Sequence, residues 1–326
     1  MSDVITIYRN FANRGGAQDV ALKLAMEFSK SKVVLTSTPL DKIHDSYKNQ
    51  EYDYKKLNLR NIRALRGHTF ISHDRKSTSY LMLMSKLFGL NLKIVHVAHN
   101  TFSNLKIITW LPKNVVAVSE AVKDNLVDYF KVNPDNVTVI PNGIEDKGYV
   151  EPRNESESIN ILLPARINDV KQQVAIVEAT KPSLPNWIHI DFAGEGTDAE
   201  LLKEIIAGDS RYSYIGFVNL NDVIANYDYV MLFSKNEGQG LTLINGAMYG
   251  KPLITNSIPA VLSVNEQGKT GFVFENLNEL ADGLQHICWP DEDEYKQLSV
   301  GAREKYEKYF TNSMMIDRYR KVLEQL

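Results

Sequence analysis

A short stretch in the second half of the chain combines an acidic residue with several glycines, just after an apolar run. Glu237 is followed by Gly238 and Gly240, and the apolar run at residues 229–233 precedes them. Glycines leave backbone N–H groups accessible, and a helix that begins near Leu241 would add its own unpaired N–H groups. A carboxylate accepts hydrogen bonds from hydroxyls, whereas backbone amides donate to phosphate oxygens. The stretch is therefore typical of a site for a ligand that carries both hydroxyls and phosphates.

Two cations follow another apolar run, at residues 160–163. Arg166 and Lys171 lie five positions apart in the loop after that predicted strand. Arginine can hold two phosphate oxygens at once, while lysine acts as a point charge. Each charge-assisted hydrogen bond contributes about 1.5–3 kcal/mol, and a micromolar affinity corresponds to roughly −8 kcal/mol. The pair is consistent with a diphosphate site, although two solvated surface charges could have the same spacing.

Two further corners between a strand and a helix carry glycines. Gly15 and Gly16 follow the opening apolar run, and Gly194 and Gly196 precede a helix for which Thr197 is the predicted N-cap. Without a Cβ atom, such corners let the N–H groups of a helix N-terminus approach an anion. The first corner matches neither the G-x-G-x-x-G fingerprint nor a P-loop, which disfavours nicotinamide dinucleotides and nucleoside triphosphates. A tight turn without a ligand is the alternative for that corner, and the lone G-x-G of the second corner is a weak signal by itself.

Short apolar runs alternate with amphipathic segments along the chain. The predicted strands are residues 4–8, 32–35, 69–72, 93–98, 115–118 and 137–140, then 160–163, 189–193, 214–216, 229–233 and 252–255. The predicted helices are residues 16–30, 77–88 and 119–130, followed by helices after Lys171, Thr197, Asp222 and Gly240. Repeated alternation of strand and helix predicts parallel sheets with helices on both faces.

A polar, turn-forming stretch at residues 141–158 separates the two halves of this pattern. We therefore expect an α/β protein with two doubly wound, Rossmann-like parallel-sheet domains, residues 1–146 and 147–308, that face each other across a cleft. Residues 309–326 are expected to form a C-terminal helix that returns to the first domain. Ligands of such sheets bind beyond the carboxyl ends of the strands, where the glycine corners and the two cations lie.

Charge is unevenly distributed between the halves. Residues 1–146 carry 20 Lys and Arg against 14 Asp and Glu, and the remaining residues carry 17 against 26. A basic first half could meet an anionic acceptor or an acidic membrane surface, although ordinary variation of surface charge is the alternative. The densest basic stretch, at residues 55–66, has no interleaved aromatic residues that could stack on bases. Nucleic acid is therefore not an expected partner.

Cysteine content and hydropathy point to a reduced compartment. The chain has one cysteine, Cys288, which excludes an intramolecular disulfide and a cysteine metal cage. Its first residues lack a signal-peptide pattern, and the apolar segment at residues 80–90 is far shorter than the roughly 20 residues that a membrane span needs. We expect a cytoplasmic protein, either free or peripheral at the inner face of the membrane.

Several motifs occur in an order that resembles the family 4 glycosyltransferases of the GT-B fold. In the second half they are Pro164-Ala-Arg-x4-Lys171, Ala193-Gly-Glu-Gly196, Glu237-Gly-Gln-Gly-Leu241 and Ala247-Met-x-Gly-Lys-Pro252. In the first half they are Arg14-Gly-Gly-Ala-Gln18, Ala98-His-Asn100, Val118-Ser-Glu120 and Val139-Ile-Pro-Asn-Gly-Ile144. The likeness spans nearly the whole chain, and the combined order is more specific than any single motif.

The resemblance implies a retaining, hexosyltransferase-type transfer from a nucleotide-sugar donor to a glycan or lipid-linked acceptor in polysaccharide or glycoconjugate biosynthesis. The first domain would bind the acceptor and the second the nucleotide sugar. Catalytic roles are implied for Arg166 and Lys171, which would neutralise the departing diphosphate, for Glu237, and for His99 near the donor sugar. The implied donor-binding residues are Gly15, Gly16, Gly216, Phe217, Val218, Gly238, Gln239, Gly240, Leu241 and Asn245.

The implied chemistry needs charge stabilisation rather than a cofactor. Fixed cations and helix N-termini stabilise the charge that develops on the leaving diphosphate. No protein nucleophile is required if the acceptor attacks from the face that the diphosphate leaves. Asp291 and Asp293 precede a predicted helix and are more typical of a solvated cap than of a metal site, so we expect no metal site, no essential metal and no cofactor besides the donor substrate.

Three histidines follow strands of the first half. His96 and His99 are three apart around the end of the strand at residues 93–98, so they should face different sides, and His73 is a weaker candidate after residues 69–72. Any of the three could be a satisfied core histidine. The resemblance favours a functional role for His99, which would contact a sugar hydroxyl or contribute its backbone carbonyl.

One position departs from the family pattern. A second glutamate normally follows the first with seven residues between, and here that position is Asn245. Losing a charged hydrogen bond to the ribose would weaken donor binding by about 1–3 kcal/mol. This departure leaves open a non-catalytic GT-B partner subunit of a glycosylation complex. A sugar-nucleotide epimerase on the same fold is a further alternative, which would need acid and base carboxylates near the ligand.

Overall fold

The computed structural model of the chain describes residues 3–48, 51–153 and 157–326. The chain divides into two compact units, one formed by Met1–Asn142 with Met314–Leu326 and the other by Gly143–Ser313. Both units alternate between strand and helix, as the sequence pattern predicts.

The first unit contains a parallel sheet of short strands. Within the described residues these are β1 (Val4–Ile7), β2 (Val33–Thr36), β3 (Asp53–Lys56), β4 (Thr69–Ser72), β5 (Lys93–Ala98), β6 (Asn114–Ala117) and β7 (Val137–Val139). They lie in the order β3-β2-β1-β4-β5-β6-β7, and every neighbouring pair is parallel. The helices are α1 (Gly16–Phe28), α2 (Leu59–Ala64), α3 (Arg75–Leu87) and α4 (Glu120–Asp124), which continues as a π-helical turn at Asn125–Tyr129.

The second unit repeats this plan with a smaller sheet. Its strands are β8 (Ile159–Pro164), β9 (Ile188–Ala193), β10 (Tyr212–Gly216), β11 (Tyr229–Leu232), β12 (Leu253–Asn256) and β13 (Gly271–Phe274), in the parallel order β10-β9-β8-β11-β12-β13. Its helices are α5 (Gln173–Thr180), α6 (Ala199–Ile206), α7 (Leu220–Val223), α8 (Leu241–Met248), α9 (Pro259–Leu262), α10 (Leu277–Gly283) and α11 (Asp293–Tyr309).

The last helix, α12 (Asn312–Glu324), lies with the first unit from Met314 onward. Arg320 of α12 pairs with Glu27 of α1, with 3.3 Å between the guanidinium and the carboxylate. Ile144, just before the predicted boundary at 146, belongs to the second unit, where it bridges to Thr311.

Each sheet reverses its strand order at one place. The reversal lies between β1 and β4 in the first unit and between β8 and β11 in the second. Loops that leave the carboxyl ends of the strands on either side of such a reversal diverge and open a crevice, which is the usual ligand site of doubly wound sheets. The loops with Gly15, Arg166 and Glu237 all begin at these reversals.

The central strands are buried on both faces by the surrounding helices. All residues of β1, β4 and β11 are buried. Parallel strands in this position form continuous apolar runs rather than alternating patterns, which is why they stand out in the sequence. The predicted fold class, two doubly wound Rossmann-like α/β sheets, is confirmed.

Two strands are absent from the predicted set. β3 (Asp53–Lys56) lies at an edge and has charged, partly exposed residues, as edge strands often do. β13 (Gly271–Phe274) pairs only with β12 in the described sheet. β3 has no apolar run, whereas β13 has the apolar sequence Gly-Phe-Val-Phe but is only partly buried beyond its first residue.

Two helix predictions need correction. Thr197 is not the N-cap of α6, because that helix begins at Ala199 and the Thr197 hydroxyl donates to the Asp198 carboxylate at 2.8 Å. The helix predicted after Asp222 instead contains it. Ser119, the first residue of the helix predicted at residues 119–130, is the N-cap of α4, and its hydroxyl accepts from the N–H of Val122 at 3.3 Å.

None of the helices in the described ranges has the combination of length and apolar character that crossing a bilayer requires.

Candidate active site

The loop between β11 and α8 carries the acid and the glycines of the predicted ligand corner. Gly240 directly precedes α8 and has a positive φ of 85°. A Cβ atom there would lie 3.1 Å from side-chain atoms of Leu232 and Leu243, so glycine suits both the backbone conformation and the limited space. Leu241 then opens the helix, whose first N–H groups have no acceptors within the helix itself.

Close packing fixes α8 against the sheet. A Cβ atom on Gly246 would lie 2.9 Å from the Cβ of Val230, so this helix approaches the strand more closely than a larger residue would allow. At the other end, the N–H of Gly250 donates to Ala247 O at 3.0 Å and the N–H of Lys251 donates to Gly246 O at 2.9 Å. This pair of bonds is a Schellman motif, which ends the helix and holds its carbonyls.

Lys171 and Glu237, which are far apart in the sequence, form an ion pair at the strand-order reversal of the second sheet. Their side chains are 19% and 14% exposed, so both are largely withdrawn from solvent but still accessible to a ligand. Asn168 fixes the backbone of the lysine, since its side-chain oxygen accepts from the Lys171 N–H at 3.1 Å. The structure thus joins the loop after β8 to the loop after β11 through two of the predicted catalytic side chains.

The surroundings of Lys171 disfavour the charged form of its ammonium group. Burial, followed by the nearby Arg166 guanidinium, lowers the pKa of Lys171 to about 8. The Glu237 carboxylate opposes this shift because it stabilises the charged ammonium. A second anion, such as a diphosphate, would relieve the repulsion between the two cations, so this pair of positive charges is suited to an anionic ligand.

Arg166 is exposed, and its loop is supported by the Gly-Glu-Gly corner after β9. A Cβ atom on Gly194 would overlap the carbonyl oxygen of Ala165, and one on Gly196 would overlap that of Ile167. The Ile167 N–H donates to Glu195 O at 3.0 Å. These glycines therefore permit the close approach of the loops after β8 and β9.

Further contacts join the loops after β8 and β11, and the sequence analysis missed the residues that make them. The Ser234 hydroxyl donates to Val170 O at 3.0 Å, and the Lys235 N–H donates to the same oxygen at 2.8 Å. Asn256 supports the second loop, with its side-chain amide donating to Ser234 O at 2.7 Å. No spacing in the sequence marks these residues, because they meet only after the two strands pair with a common sheet.

The predicted nucleobase corner follows β10. Gly216 has a positive φ of 68°, and its carbonyl accepts from the Gly194 N–H at 2.7 Å. Phe217 is 47% exposed, whereas Val218 is half-buried and packs on the apolar residues under α8. Because the Gly216 carbonyl is engaged within the protein, backbone contacts to a base would come mainly from the two residues after it.

Asn245 lies on α8 one turn after its start. Its side-chain amide donates to Leu241 O at 3.0 Å, a bond to the preceding turn of the same helix. The side chain is half-buried, whereas Gly238, Gln239 and Gly240 in the loop before α8 are buried. One of the two N–H donors of the Asn245 amide is therefore used by the helix, and its oxygen is suited to accept from a ribose hydroxyl.

The glycine corner of the first unit is organised by a tyrosine that the sequence analysis did not identify. The N–H of Gly15 donates to the Tyr47 hydroxyl at 3.1 Å, and that hydroxyl donates to the Asp19 carboxylate at 3.0 Å. A Cβ atom on Gly15 would lie 2.7 Å from the side-chain oxygen of Gln18. Gly15 is thus engaged by Tyr47 and lies against Gln18, whereas Gly16 is exposed and is the better candidate of the two for a ligand.

Histidines cluster at the carboxyl ends of β4 and β5. Nδ1 of His73 and Nε2 of His99 are 2.9 Å apart, and the two rings stack with centroids 5.2 Å apart. Burial lowers the pKa of His99 to about 4 and that of His73 well below its usual value, so both rings are neutral at pH 7. His96 faces α3 instead, with its Nδ1 2.8 Å from the Thr78 hydroxyl.

The arrangement makes His73 a partner of His99 rather than an independent rim residue. One of the two facing nitrogens must carry the proton of the shared hydrogen bond, which fixes the tautomers of both rings together. A neutral His99 held in this way can donate or accept one hydrogen bond but carries no charge. That chemistry fits contact with an uncharged hydroxyl.

Within residues 3–48, 51–153 and 157–326, no three His, Cys, Asp or Glu side chains are arranged to hold a metal ion. Asp293 opens α11 and lies 3.8 Å from Lys296 one turn later, and Asp291 is exposed before it.

Family models match both halves of the chain. A model described as Glycosyltransferase Family 4 matches residues 14–147, and one described as Glycosyl transferases group 1 matches residues 158–288. The chain belongs to the family 4 glycosyltransferases. The order of motifs from Gly15 to Pro252 predicted this membership, which is thereby confirmed.

Solved structures support the GT-B fold of this family 4 chain. The HepE protein of Anabaena, solved in complex with UDP, superposes with a TM-score of 0.85 at 15% identity, covering 99% of this chain and 100% of that one. The neighbours with this fold are GT-B glycosyltransferases, and the chain has the same two parallel-sheet Rossmann-like domains. At this level of identity the likeness concerns the fold.

Curated relatives of the family 4 chain act on sugars. The GtfA subunit of the UDP-N-acetylglucosamine–peptide N-acetylglucosaminyltransferase of Streptococcus agalactiae is 29% identical over 184 residues, covering 54% of this chain and 34% of the relative. The N-acetyl-alpha-D-glucosaminyl L-malate synthase of Bacillus anthracis is 26% identical over 271 residues, covering 73% and 69%. The chain thus spans only about a third of the length of the first of these relatives.

Proposed function

We propose that the chain is a retaining glycosyltransferase that transfers a sugar from a nucleotide-sugar donor to a glycan or lipid-linked acceptor. The observation that carries this proposal is the Lys171–Glu237 ion pair, with Arg166 beside it, at the strand-order reversal of the second sheet. Two cations suit a diphosphate, and an adjoining carboxylate suits the hydroxyls of the attached sugar. The membership of family 4 supports the same reading.

In the proposed reaction Arg166 and Lys171 stabilise the charge that builds on the leaving diphosphate. The bond from the anomeric carbon to the phosphate oxygen breaks, and a bond to the acceptor oxygen forms on the same face of the sugar. The acceptor's proton passes to an oxygen of the departing phosphate. Because the side chains supply the positive charge, we expect turnover to persist in the presence of EDTA.

Other residues bind and orient the donor in this proposal. Glu237 accepts from sugar hydroxyls while holding Lys171, and the N–H groups at the start of α8 donate to the donor. His99 donates to or accepts from a sugar hydroxyl, with its tautomer set by His73. Gly16 and the residues after Gly216 remain assigned to the donor by the family resemblance.

A screen of sugar nucleotides tests the proposal. Each compound is assayed for a rise in melting temperature and for slow release of its nucleoside diphosphate, beginning with UDP-sugars because HepE was solved with UDP. An active pair should yield a product whose anomeric configuration, read by NMR, matches that of the donor. Inversion would contradict the retaining assignment, and the absence of both stabilisation and release across all donors would contradict a transferase.

A second candidate is a non-catalytic partner subunit in a glycosylation complex, and Asn245 is the observation that favours it. For a non-catalytic subunit, either no nucleotide would raise the melting temperature, or a nucleotide would bind without turnover. Sustained release of nucleoside diphosphate with an acceptor present would exclude it. We expect the reaction itself to occur in the cytoplasm.

Replacing Asn245 with Glu is expected to tighten binding of the donor's nucleoside diphosphate by about tenfold, since a charged acceptor makes a stronger hydrogen bond to ribose hydroxyls. Isothermal titration measures the change. Asn245→Gln is the matched control, because it has the length of Glu without its charge. Equal affinities in the wild type and Asn245→Glu would show that position 245 does not face the ribose.

The pH dependence should follow the lowered pKa of Lys171. We expect kcat/KM for the donor to fall as pH rises through about 8, because the free enzyme then loses the ammonium charge that attracts the diphosphate. A bound diphosphate raises this pKa again, so the corresponding fall in kcat should appear at higher pH. In Lys171→Arg the alkaline fall should disappear, since arginine stays charged; its persistence would exclude Lys171 as its source.

A further inference from the structure

The first unit contains a long segment that has basic residues but no acidic ones. From Arg75 to Ser119 there are six Lys and Arg residues and no Asp or Glu, although acids outnumber cations in the chain as a whole, 40 to 37. The segment comprises α3, β5, β6 and the loop of residues 99–113 that joins the two strands. It is this segment, rather than the predicted stretch at residues 55–66, that combines positive charge with exposed apolar side chains.

Several large apolar side chains on this segment are exposed. Ile107 is 99% exposed, Ile108 is 65% exposed and Leu87 is 64% exposed. A run of such residues at a loop tip is unusual for a surface that meets only water. Together with their exposed neighbours they form an apolar face, which consists of Leu83, Leu87, Leu105, Ile107, Ile108 and Trp110.

The helix and the loop form one surface. The Trp110 N–H donates to the Ser79 hydroxyl of α3 at 2.9 Å, and the Lys86 ammonium lies 5.2 Å from the centre of a Trp110 ring. Ser79, Leu83 and Lys86 are spaced by four and three residues and therefore lie on one side of the helix. The loop is consequently attached along the side of α3 that carries the exposed leucines.

Several contacts fix the conformation of the first part of this loop. The Arg75 guanidinium donates to Asn104 O at 2.9 Å and to its side-chain oxygen at 3.0 Å, while lying 3.8 Å from the centre of the Phe102 ring. The Phe102 N–H donates to the side-chain oxygen of Asn125 at 2.9 Å. These contacts fix the start of the loop against α3 and against the π-helical turn that continues α4. Ile107, further along the loop, is exposed to solvent.

We propose that the apolar face docks on an anionic lipid bilayer. Isoleucine side chains would enter the boundary between headgroups and acyl chains, tryptophan would lie at that boundary, and Lys86 and Lys106 would contact anionic headgroups. Charge complementarity decides between a bilayer and a protein partner, because lysine is depleted at protein interfaces. Here the lysines flank the apolar side chains and can extend along them toward the headgroups.

Docking would decide which acceptor class the chain uses. His99 directly follows β5, and the loop that carries Ile107 and Ile108 begins there, at the carboxyl edge where ligands of the sheet bind. A bilayer at this loop favours a lipid-linked acceptor over a free glycan. This step rests on the proposed function, whereas docking itself is measured without donor or turnover, so either can fail alone.

Vesicle binding tests the proposal. We expect the full chain to sediment with phosphatidylcholine vesicles that contain phosphatidylglycerol, and to bind much less to phosphatidylcholine alone or at high salt. Ile107→Ser with Ile108→Ser should weaken the partition by about tenfold or more, and Lys86→Glu with Lys106→Glu should do the same. Leu201→Ser, at a 48% exposed leucine of the second unit, is the matched control and should change nothing.

Tryptophan fluorescence locates the contact. Trp187 and Trp289 pack against each other in the second unit with ring centroids 4.8 Å apart, so replacing both with Phe leaves Trp110 as the reporter. Brominated lipids should quench its emission. If that variant fails to fold, the quenching lost in Trp110→Phe gives the same information.

Three results would overturn the proposal. One is equal sedimentation with and without phosphatidylglycerol vesicles, and another is vesicle binding without quenching of Trp110. The third is a dimer in sedimentation velocity that Ile107→Ser with Ile108→Ser abolishes, because the face would then be an interface between copies of the chain.

Discussion

Replacing Lys171 with Ala is expected to lower kcat/KM for the donor by about a hundredfold or more, which is the usual effect of removing one preorganised group that stabilises developing charge. The lysine contributes both to donor binding and to stabilisation of the leaving diphosphate, so kcat should fall as well as KM rise. Steady-state kinetics with the donor identified by the screen measure both.

The fold should survive this change. Burial lowers the pKa of Lys171, which means that the charged form gains nothing from its folded environment beyond its pairing with Glu237. The melting temperature is therefore expected to stay within a few degrees of that of the wild type. Lys296→Ala, at a lysine on α11 that lies 3.8 Å from Asp293, is the matched control and should keep full activity. Wild-type turnover in Lys171→Ala would remove this residue from the site.

Replacing Glu237 with Gln should have an effect of similar size by a different route. The change keeps the shape of the side chain but removes the counter-ion of a largely buried ammonium. It also removes a charged acceptor for sugar hydroxyls, a kind of bond that contributes about 1.5–3 kcal/mol. We expect kcat/KM to fall by about a hundredfold.

A second readout separates these two effects of Glu237. Without the carboxylate the pKa of Lys171 should fall further, so the alkaline decline of kcat/KM should begin at lower pH than in the wild type. Glu195→Gln, at an exposed acid of the Gly-Glu-Gly corner, is the control and should leave the profile in place. An unchanged profile in Glu237→Gln would show that the two side chains are not paired in solution.

Much of the fold could be predicted from apolar runs, because central parallel strands are buried on both faces. β4 and β5 have the predicted bounds, and the corner at Glu237 has the predicted glycine-led helix start. β3 was missed because an exposed edge strand needs no apolar run. Thr197 was taken as a cap because its residue type is suitable, whereas the backbone turns one residue later.

The site depends on contacts that residue types alone do not reveal. Arg166, Lys171 and Glu237 were recognised from types and motif order, but the pairing of the last two arises only when β8 and β11 lie side by side. The Tyr47 hydroxyl that engages Gly15 lies 32 positions further along the chain. The close approach of His73 to His99 likewise requires β4 and β5 to be neighbours.

The docking surface differs from the site, because part of the pattern that marks it is visible in the sequence. The absence of acids between Arg75 and Ser119 can be read directly, whereas the predicted basic region was chosen by the density of cations alone. Exposure was the missing information, since Ile107 and Leu81 are both apolar but only the first is outside the core.

A crystal structure of the chain with the nucleoside diphosphate of its donor tests the central claim most directly. We predict that the terminal phosphate lies within hydrogen-bonding distance of the Lys171 ammonium and the Arg166 guanidinium, with its oxygens facing the start of α8. A diphosphate bound elsewhere, with those two side chains still in contact only with protein or solvent, would contradict it.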